Sequence, residues 1–259
     1  MFAEERRNEI TNILKSEGRV SVNGLAEKFQ VSIDTIRRDL SIMEDKGLLK
    51  RTHGGAIPAP KVRARPQRSS VREVETNIHP NVAAIAKHAA SLIDEGDTVF
   101  IGGSSAHYVM LRYLPAEITF TVVTSSIIVA DELRSHDNIE TFLVCGKIRP
   151  NGDLVDALAS DFVKTLRIDK AFMVSGGLSA EHGLSNATSE TVVFHRSVAS
   201  VSRKKICLSP NNKLGTEFFI REIPAEDLDM VITDWDAPED EIEKLRQIGV
   251  EVIVAEKGF

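Results

Sequence analysis

The sequence predicts an α/β chain in two parts: a small N-terminal winged helix-turn-helix unit, then a larger α/β domain. Three observations carry that expectation. Apolar residues recur at helical spacing through residues 4–45, with two short helices separated only by a tight turn. Prolines and basic residues crowd positions 58–76 without a helix or strand period. From residue 77 onward, strand-like runs alternate with helical ones, the pattern of a mainly parallel sheet covered on both faces. The expected boundaries are therefore 1–57 for the first domain, 58–76 for a linker and 77–259 for the second domain.

In the first domain, Ile10, Ile13 and Leu14 mark an amphipathic helix from Glu4 to Glu17, which Gly18 ends. Arg19 to Val22 is a short β-prone bridge. A second helix from Asn23 to Phe29 turns Leu25, Ala26 and Phe29 inward. After the turn Gln30-Val31-Ser32, Ser32 is a suitable N-cap for a third helix, Ile33 to Asp45. Ile36, Leu40 and Met43 share its inner face. At roughly 100° per residue, Asp34, Arg38 and Ser41 point the other way, with Thr35 and Arg37 on the flanks. An exposed, arginine-bearing face at a capped N-terminus suits the major groove of DNA, where arginine grips guanine through two hydrogen bonds. Leu48 to Thr52, a turn at His53-Gly54-Gly55, and Ala56-Ile57 form the wing. Its Lys50, Arg51 and His53 are placed to meet phosphates. The expected DNA-binding residues are thus Ser32, Asp34, Thr35, Arg37, Arg38, Ser41, Lys50, Arg51 and His53.

Charge placement agrees. The net charge is −6, yet residues 1–75 carry 15 Lys and Arg against 11 Asp and Glu, leaving 17 against 27 for the rest. A basic head on an acidic body fits a protein whose head alone meets phosphates. The linker adds Pro58, Pro60, Pro66 and five basic residues up to Arg72, either a solvated spacer or a further phosphate contact. With 42% apolar and 27% charged residues the composition is that of a globular protein. No apolar run approaches the ~18 residues of a membrane helix, and Met1 to Glu9 lacks the apolar stretch of a signal peptide. A cytoplasmic protein without membrane contact is expected. Cys145 and Cys207 sit in apolar strand-like runs and read as buried thiols.

Val31-Ser32, then Thr35-Ile36-Arg37-Arg38-Asp39-Leu40, and at a fixed distance Arg51-Thr52-His53-Gly54-Gly55-Ala56 together resemble the signature of the DeoR family of bacterial sugar-metabolism regulators. Arg6-Arg7 and Ile10 resemble the family's opening pattern. The resemblance implies a winged helix-turn-helix fold and operator DNA as partner. Over the body it implies a sensor domain related in fold to ribose-5-phosphate isomerase and CoA-transferase-like proteins, which binds phosphorylated sugars or related metabolites.

In a parallel sheet, ligands sit beyond the carboxyl ends of the strands. Small polar residues are expected there: Gly102, Gly103, Ser104 and Ser105 after the first strand, Thr124 and Ser125 after the second, Gly146 and Lys147 after the third, Gly176 and Gly177 after the fourth, and Lys213 after the strand at 205–208. Such turns favour a small anionic ligand. His107 is a further candidate. Relative to the resembled family, Gly102-Gly103-Ser104-Ser105 lacks an expected acid, Thr124-Ser125 replaces Thr-Asn, Cys145-Gly146 replaces Gly-Gly, and Pro210 to Lys213 lacks a second acid. The resemblance therefore implies an atypical effector.

Two alternatives to an effector-controlled repressor stay open. The body would be a working isomerase-type enzyme on a DNA anchor, or the protein would bind DNA without an effector. Against catalysis, no Asp, Glu or His stands at the turns just named, where a general base would be sought. The seven histidines lack metal-ligand spacing, so neither a metal nor a cofactor is expected. A homodimer or homotetramer is expected, because one helix-turn-helix reads only a half-site.

Overall fold

The computed structural model describes residues 3–58 and 78–257. The linker expected at 58–76 lies outside the described residues except for Pro58. The chain divides into two compact units, Met1–Lys61 and Val62–Phe259.

The first unit orders α1 (Ala3–Glu17), β1 (Val20–Ser21), α2 (Val22–Phe29), α3 (Ile33–Asp45), β2 (Leu49–Thr52) and β3 (Gly55–Pro58). The stops of α1 and α2 have local causes. Gly18 adopts φ 73°, and Gln30, also left-handed at φ 53°, closes α2 by donating its N–H to Ala26 and Glu27 carbonyls. Ile10, Leu25, Ile36, Leu40, Met43 and Leu49 close one small core. The wing is wider than the expected two strands. β1 pairs antiparallel with β3, so the sheet order is β1-β3-β2. Gly55 makes that third strand possible: a Cβ there would lie 1.8 Å from the Val20 carbonyl oxygen.

A charged group completes this core. Asp39 on α3 is 3% exposed and accepts from Arg6 Nε at 2.6 Å and from Arg7 Nε at 2.9 Å, both on α1. Arg6 itself is 7% exposed. The pair clamps α1 to the inner flank of α3.

The second unit has a seven-stranded, all-parallel sheet. Its members are β4 (Thr98–Ile101), β5 (Phe120–Thr124), β6 (Ile139–Leu143), β7 (Ile168–Met173), β10 (Ser202–Leu208), β12 (Met230–Asp234) and β13 (Glu251–Ala255). They stand in the order β13-β12-β10-β7-β4-β5-β6. Successive strand residues serve opposite faces: Phe100 packs in one apolar cluster, Val99 and Ile101 in the other. The first cluster is roofed by α7 (Ala157–Val163), α8 (Ser189–Val201) and α9 (Glu239–Gln247). The second lies under α4 (Pro80–Ala90), α5 (Ser105–Met110) and α6 (Ile127–Leu133). Covering both faces is the condition under which parallel strands persist.

The second unit also holds a sheet that the sequence does not predict. β8 (Gly177–Ser179), β9 (Gly183–Asn186) and β11 (Ile220–Ile223) form an antiparallel sheet ordered β11-β9-β8. These strands have three or four residues; β8 and β9 are built from Gly, Leu, Ser and Asn, and β11 places Arg221 and Glu222 between two isoleucines, so none shows the apolar alternation by which strands are recognised. Cys207 is buried as expected, but Cys145 is exposed, because it lies beyond the end of the edge strand β6.

Removing the Asp39 carboxylate leaves two arginines without their shared partner, one of them buried. Asp39→Ala is expected to destabilise the first unit by about 3 kcal/mol, the cost of an orphaned buried charge. Hydrogen exchange of α3 amides in the full-length protein measures it; unchanged protection would contradict the clamp.

Candidate functional site

Two surfaces carry the candidate functional residues, one in each unit. On α3, the Ser32 side chain caps the helix by accepting from Thr35 N–H at 3.2 Å and lies 2.8 Å from Thr35 Oγ1. Arg37 and Arg38 are exposed, as is Asp34, while Thr35 and Ser41 are half-buried. Arg37 leans toward Asp34 at 3.5 Å, an exposed pair worth little. In the wing, Arg51 and His53 are exposed and Lys50 is half-buried. Arg51 N–H donates to Glu44 Oε1 at 2.8 Å, tying the wing's first strand to the recognition helix. The nine sequence-predicted residues thus lie on α3, its cap, β2 and the hairpin tip.

In the second unit, the sheet order reverses direction between β4 and β7: strands to one side follow β4 in the chain, those to the other follow β7. Connections leave in opposite directions there, which opens a crevice at the carboxyl ends. A cleft of about 880 Å³ occupies this place. Gly102, Gly103, Ser104, Ser105, Ser125, Gly176 and Lys213 line it, so seven of the eleven expected residues converge.

Four do not. Thr124 is fully buried, its Oγ1 accepting from Ser126 N–H at 3.1 Å. Gly146 (φ 141°) faces the Asp156 carboxylate, and exposed Lys147 gives its N–H to that carboxylate. Gly177 starts β8 against the Thr216 carbonyl, where a Cβ would come within 2.1 Å. Position after a strand selected them in the sequence. The departing chain, however, turns away from the cleft at 146–147, and β8 at 177 pairs into a second sheet.

His107 lines the cleft but is a brace. Its Nε2 lies 2.8 Å from the Phe172 carbonyl oxygen, and because a carbonyl only accepts, Nε2 carries the proton. Nδ1, 3.0 Å from Ser104 Oγ, then accepts from the hydroxyl. Burial lowers its pKa from 6.5 to about 4, keeping the ring neutral while it ties α5 to the end of β7 across the reversal.

Lys213 stands at the far wall, half-buried, with Nζ donating to the Ser175 carbonyl at 2.7 Å. It forms no ion pair among the described residues, and burial lowers its pKa. Asp234, at the end of β12 and fully buried, accepts from Asn211 N–H at 2.8 Å and from Asn81 Nδ2. Asn81 also donates to Asp236, so the residues flanking Lys213 and the start of α4 share one polar knot.

The turns themselves hold no acid or histidine, but other elements bring both to the cleft. Asp153, from the connection after β6, packs against Gly103, where a Cβ would lie 1.9 Å from Oδ1. Asn151 donates to that carboxylate. His195 of α8 also lines the cleft, with Nδ1 2.7 Å from Oε1 of buried Glu222 on β11. No local motif marks these residues. Asp153 and His195 lie in a loop and on a helix, away from the strand ends, and Glu222 sits in a strand the periodicity did not disclose.

A capped, arginine-faced recognition helix with a wing, in a chain whose other unit holds a polar cleft, defines a DNA-binding transcription regulator with a ligand-sized pocket. The comparisons name its kind. The DeoR-like helix-turn-helix domain matches residues 6–61 and the DeoR C-terminal sensor domain matches residues 81–235; the chain belongs to the DeoR family. The HTH-type transcriptional repressor GlcR of Bacillus subtilis is 32% identical over 99% of this chain and 98% of its own length. The lactose phosphotransferase system repressor of Staphylococcus epidermidis is 30% identical over 89% and 91%. Ribose 5-phosphate isomerase A of Methanocaldococcus jannaschii aligns in structure with 14% identity, a TM-score of 0.38, and 51% and 52% coverage. A likeness of that size assigns no activity. No described helix is long and apolar enough to cross a membrane.

The neutral state of His107 predicts a pH dependence. Because its folded pKa is depressed to about 4 from 6.5, the unfolded chain binds the extra proton first, and stability falls as pH drops through that window. The loss reaches about 3 kcal/mol below the folded pKa. Denaturant midpoints between neutral and acid pH check it; His107→Gln should flatten this part of the slope.

Proposed function

We propose that the protein represses a carbohydrate-metabolism operon by binding operator DNA as a homodimer or homotetramer, and that a small anionic metabolite in the cleft controls its affinity. The observation that carries the second half is Lys213, a cation at the cleft wall with no ion pair among the described residues. It lines the same cleft as Ser104, Ser105 and Ser125, side chains suited to the hydroxyls and acidic oxygens of a phosphorylated sugar. Control requires only that the ligand prefer one arrangement of the paired recognition helices, since that difference in affinity is the coupling energy. The similarity to the lactose phosphotransferase system repressor supports the carbohydrate class.

For DNA, sites selected from a random pool provide the probe. Arg38→Ala is expected to lose about 1–3 kcal/mol on the selected site and to relax preference at one base pair. Arg51→Ala should weaken binding to all sequences alike and reduce the salt slope by roughly one. Equal binding of selected and random DNA at every salt concentration would overturn operator reading.

For the ligand, thermal shifts against phosphorylated sugars, polyols and aldonates are expected to show a rise in melting temperature with a phosphorylated sugar. Lys213→Met should abolish it. The carboxylate of Asp153 and the imidazole of His195 favour a second reading, sugar-phosphate isomerisation in the same cleft. Isomer formation from ribose 5-phosphate would establish that reading; none is expected.

A further inference from the structure

We propose that His195 is a second cationic contact for the cleft's oxyanion ligand, so that the ligand is gripped between the ammonium of Lys213 and an imidazolium whose charge depends on pH. The inference rests on the reading of the cleft as the ligand site and adds a residue and a mode of regulation to it.

The geometry begins behind the ring. Glu222 is 2% exposed, and its Oε1 lies 2.7 Å from His195 Nδ1. Its other oxygen accepts from Ser175 Oγ at 3.2 Å and Asn186 Nδ2 at 3.5 Å. An ionised carboxylate can only accept, so Nδ1 carries a proton in every charge state of the ring. Proton exchange is thereby confined to Nε2, which has no hydrogen-bond partner among the described residues. The side chain is 16% exposed and forms part of the cleft wall, so Nε2 is the atom left to meet a ligand.

The charge of the ring follows from its surroundings. Burial by itself would push the His195 pKa down, but the Glu222 charge and hydrogen bond outweigh it, with help from Asp153, and the net direction is up. Lys213 and neutral His107 line the same cleft, Arg149 reaches the helix that carries His195, and Arg196 lies on that helix. Arg149 is hydrogen-bonded to Thr191 on the same helix, and Arg196 spends its guanidinium on the Arg221 and Glu222 carbonyls. An imidazolium held by a buried carboxylate donates Nε2–H to an acidic oxygen; the neutral ring offers that oxygen only a lone pair. Affinity for an oxyanion is therefore full below the ordinary histidine pKa and is lost as pH rises through the raised one.

Sulfate is the probe, because it keeps both charges across the range. Its affinity for the full-length protein is measured by NMR from about pH 5.5 to 8.5, the span in which histidine titrates. His195 ring signals are assigned by their loss in His195→Gln. Wild-type affinity is expected to fall roughly tenfold as the His195 signal titrates, the scale of one charge-assisted hydrogen bond. His195→Gln should bind at the weak, high-pH level throughout, with no slope. Glu222→Gln should move both the His195 titration and the loss of affinity to lower pH together. A slope that persists in His195→Gln, as it would if Lys213 itself were titrating, overturns the proposal. So does wild-type binding that is flat in pH but abolished by Lys213→Met, which leaves the cleft as an anion site and removes His195 from it. Sulfate that fails to bind, or binds Lys213→Met as well as wild type, overturns both the proposal and the reading beneath it.

Discussion

An all-parallel sheet imposes two conditions at once, and the second unit is built from both. Its strands expose side chains on two faces that each need an apolar cover, which the split of Phe100 from Val99 and Ile101 into separate clusters meets. Its strands also all end on one edge, so the chain must leave from the same end each time. At the reversal between β4 and β7 the departing chains separate, and the space between them is the cleft. His107 holds that gap at a fixed width, bonded to Ser104 on one side and the Phe172 carbonyl on the other. The lining residues take their places from this opening.

Two histidines a few elements apart show how surroundings set charge. His107 is enclosed by neutral groups and lies near Lys213 and His195, so burial and like charge both favour the neutral ring. His195 is also enclosed, but Glu222 behind it reverses the balance. A buried carboxylate decides the outcome in the first unit too, where Asp39 compensates Arg6 and Arg7 between α1 and α3. In each case an acid on one element fixes a base on another. The first unit gains a fixed placement of α3 against α1, and the second a histidine held at the cleft wall.

The helices and long strands were legible in the sequence because local signals agree there: Ser32 as cap, Gly18 as stop, the spacing of Ile36, Leu40 and Met43. The alternation of strand-like and helical runs from residue 77 onward is likewise seen in the parallel sheet and its covering helices. The antiparallel sheet of β8, β9 and β11 was not legible, since strands of three or four residues, two of them Gly- and Ser-rich and the third with a charged centre, carry no period. For the cleft, the rule that ligands sit after parallel strands found Lys213 and the Gly-Ser turns. It also drew in Thr124, Gly146, Lys147 and Gly177, because position after a strand does not say which way the chain turns.

By itself the sequence determined the capped, arginine-bearing helix of the first unit, the alternating architecture of the body and the family signature, because each rests on neighbours within a few residues. Tertiary structure alone decided what gathers in the cleft. Asp153, His195 and Glu222 come from a loop, a helix and an unforeseen strand. Their meeting depends on the order of strands in the sheet, and local spacing holds no record of that order.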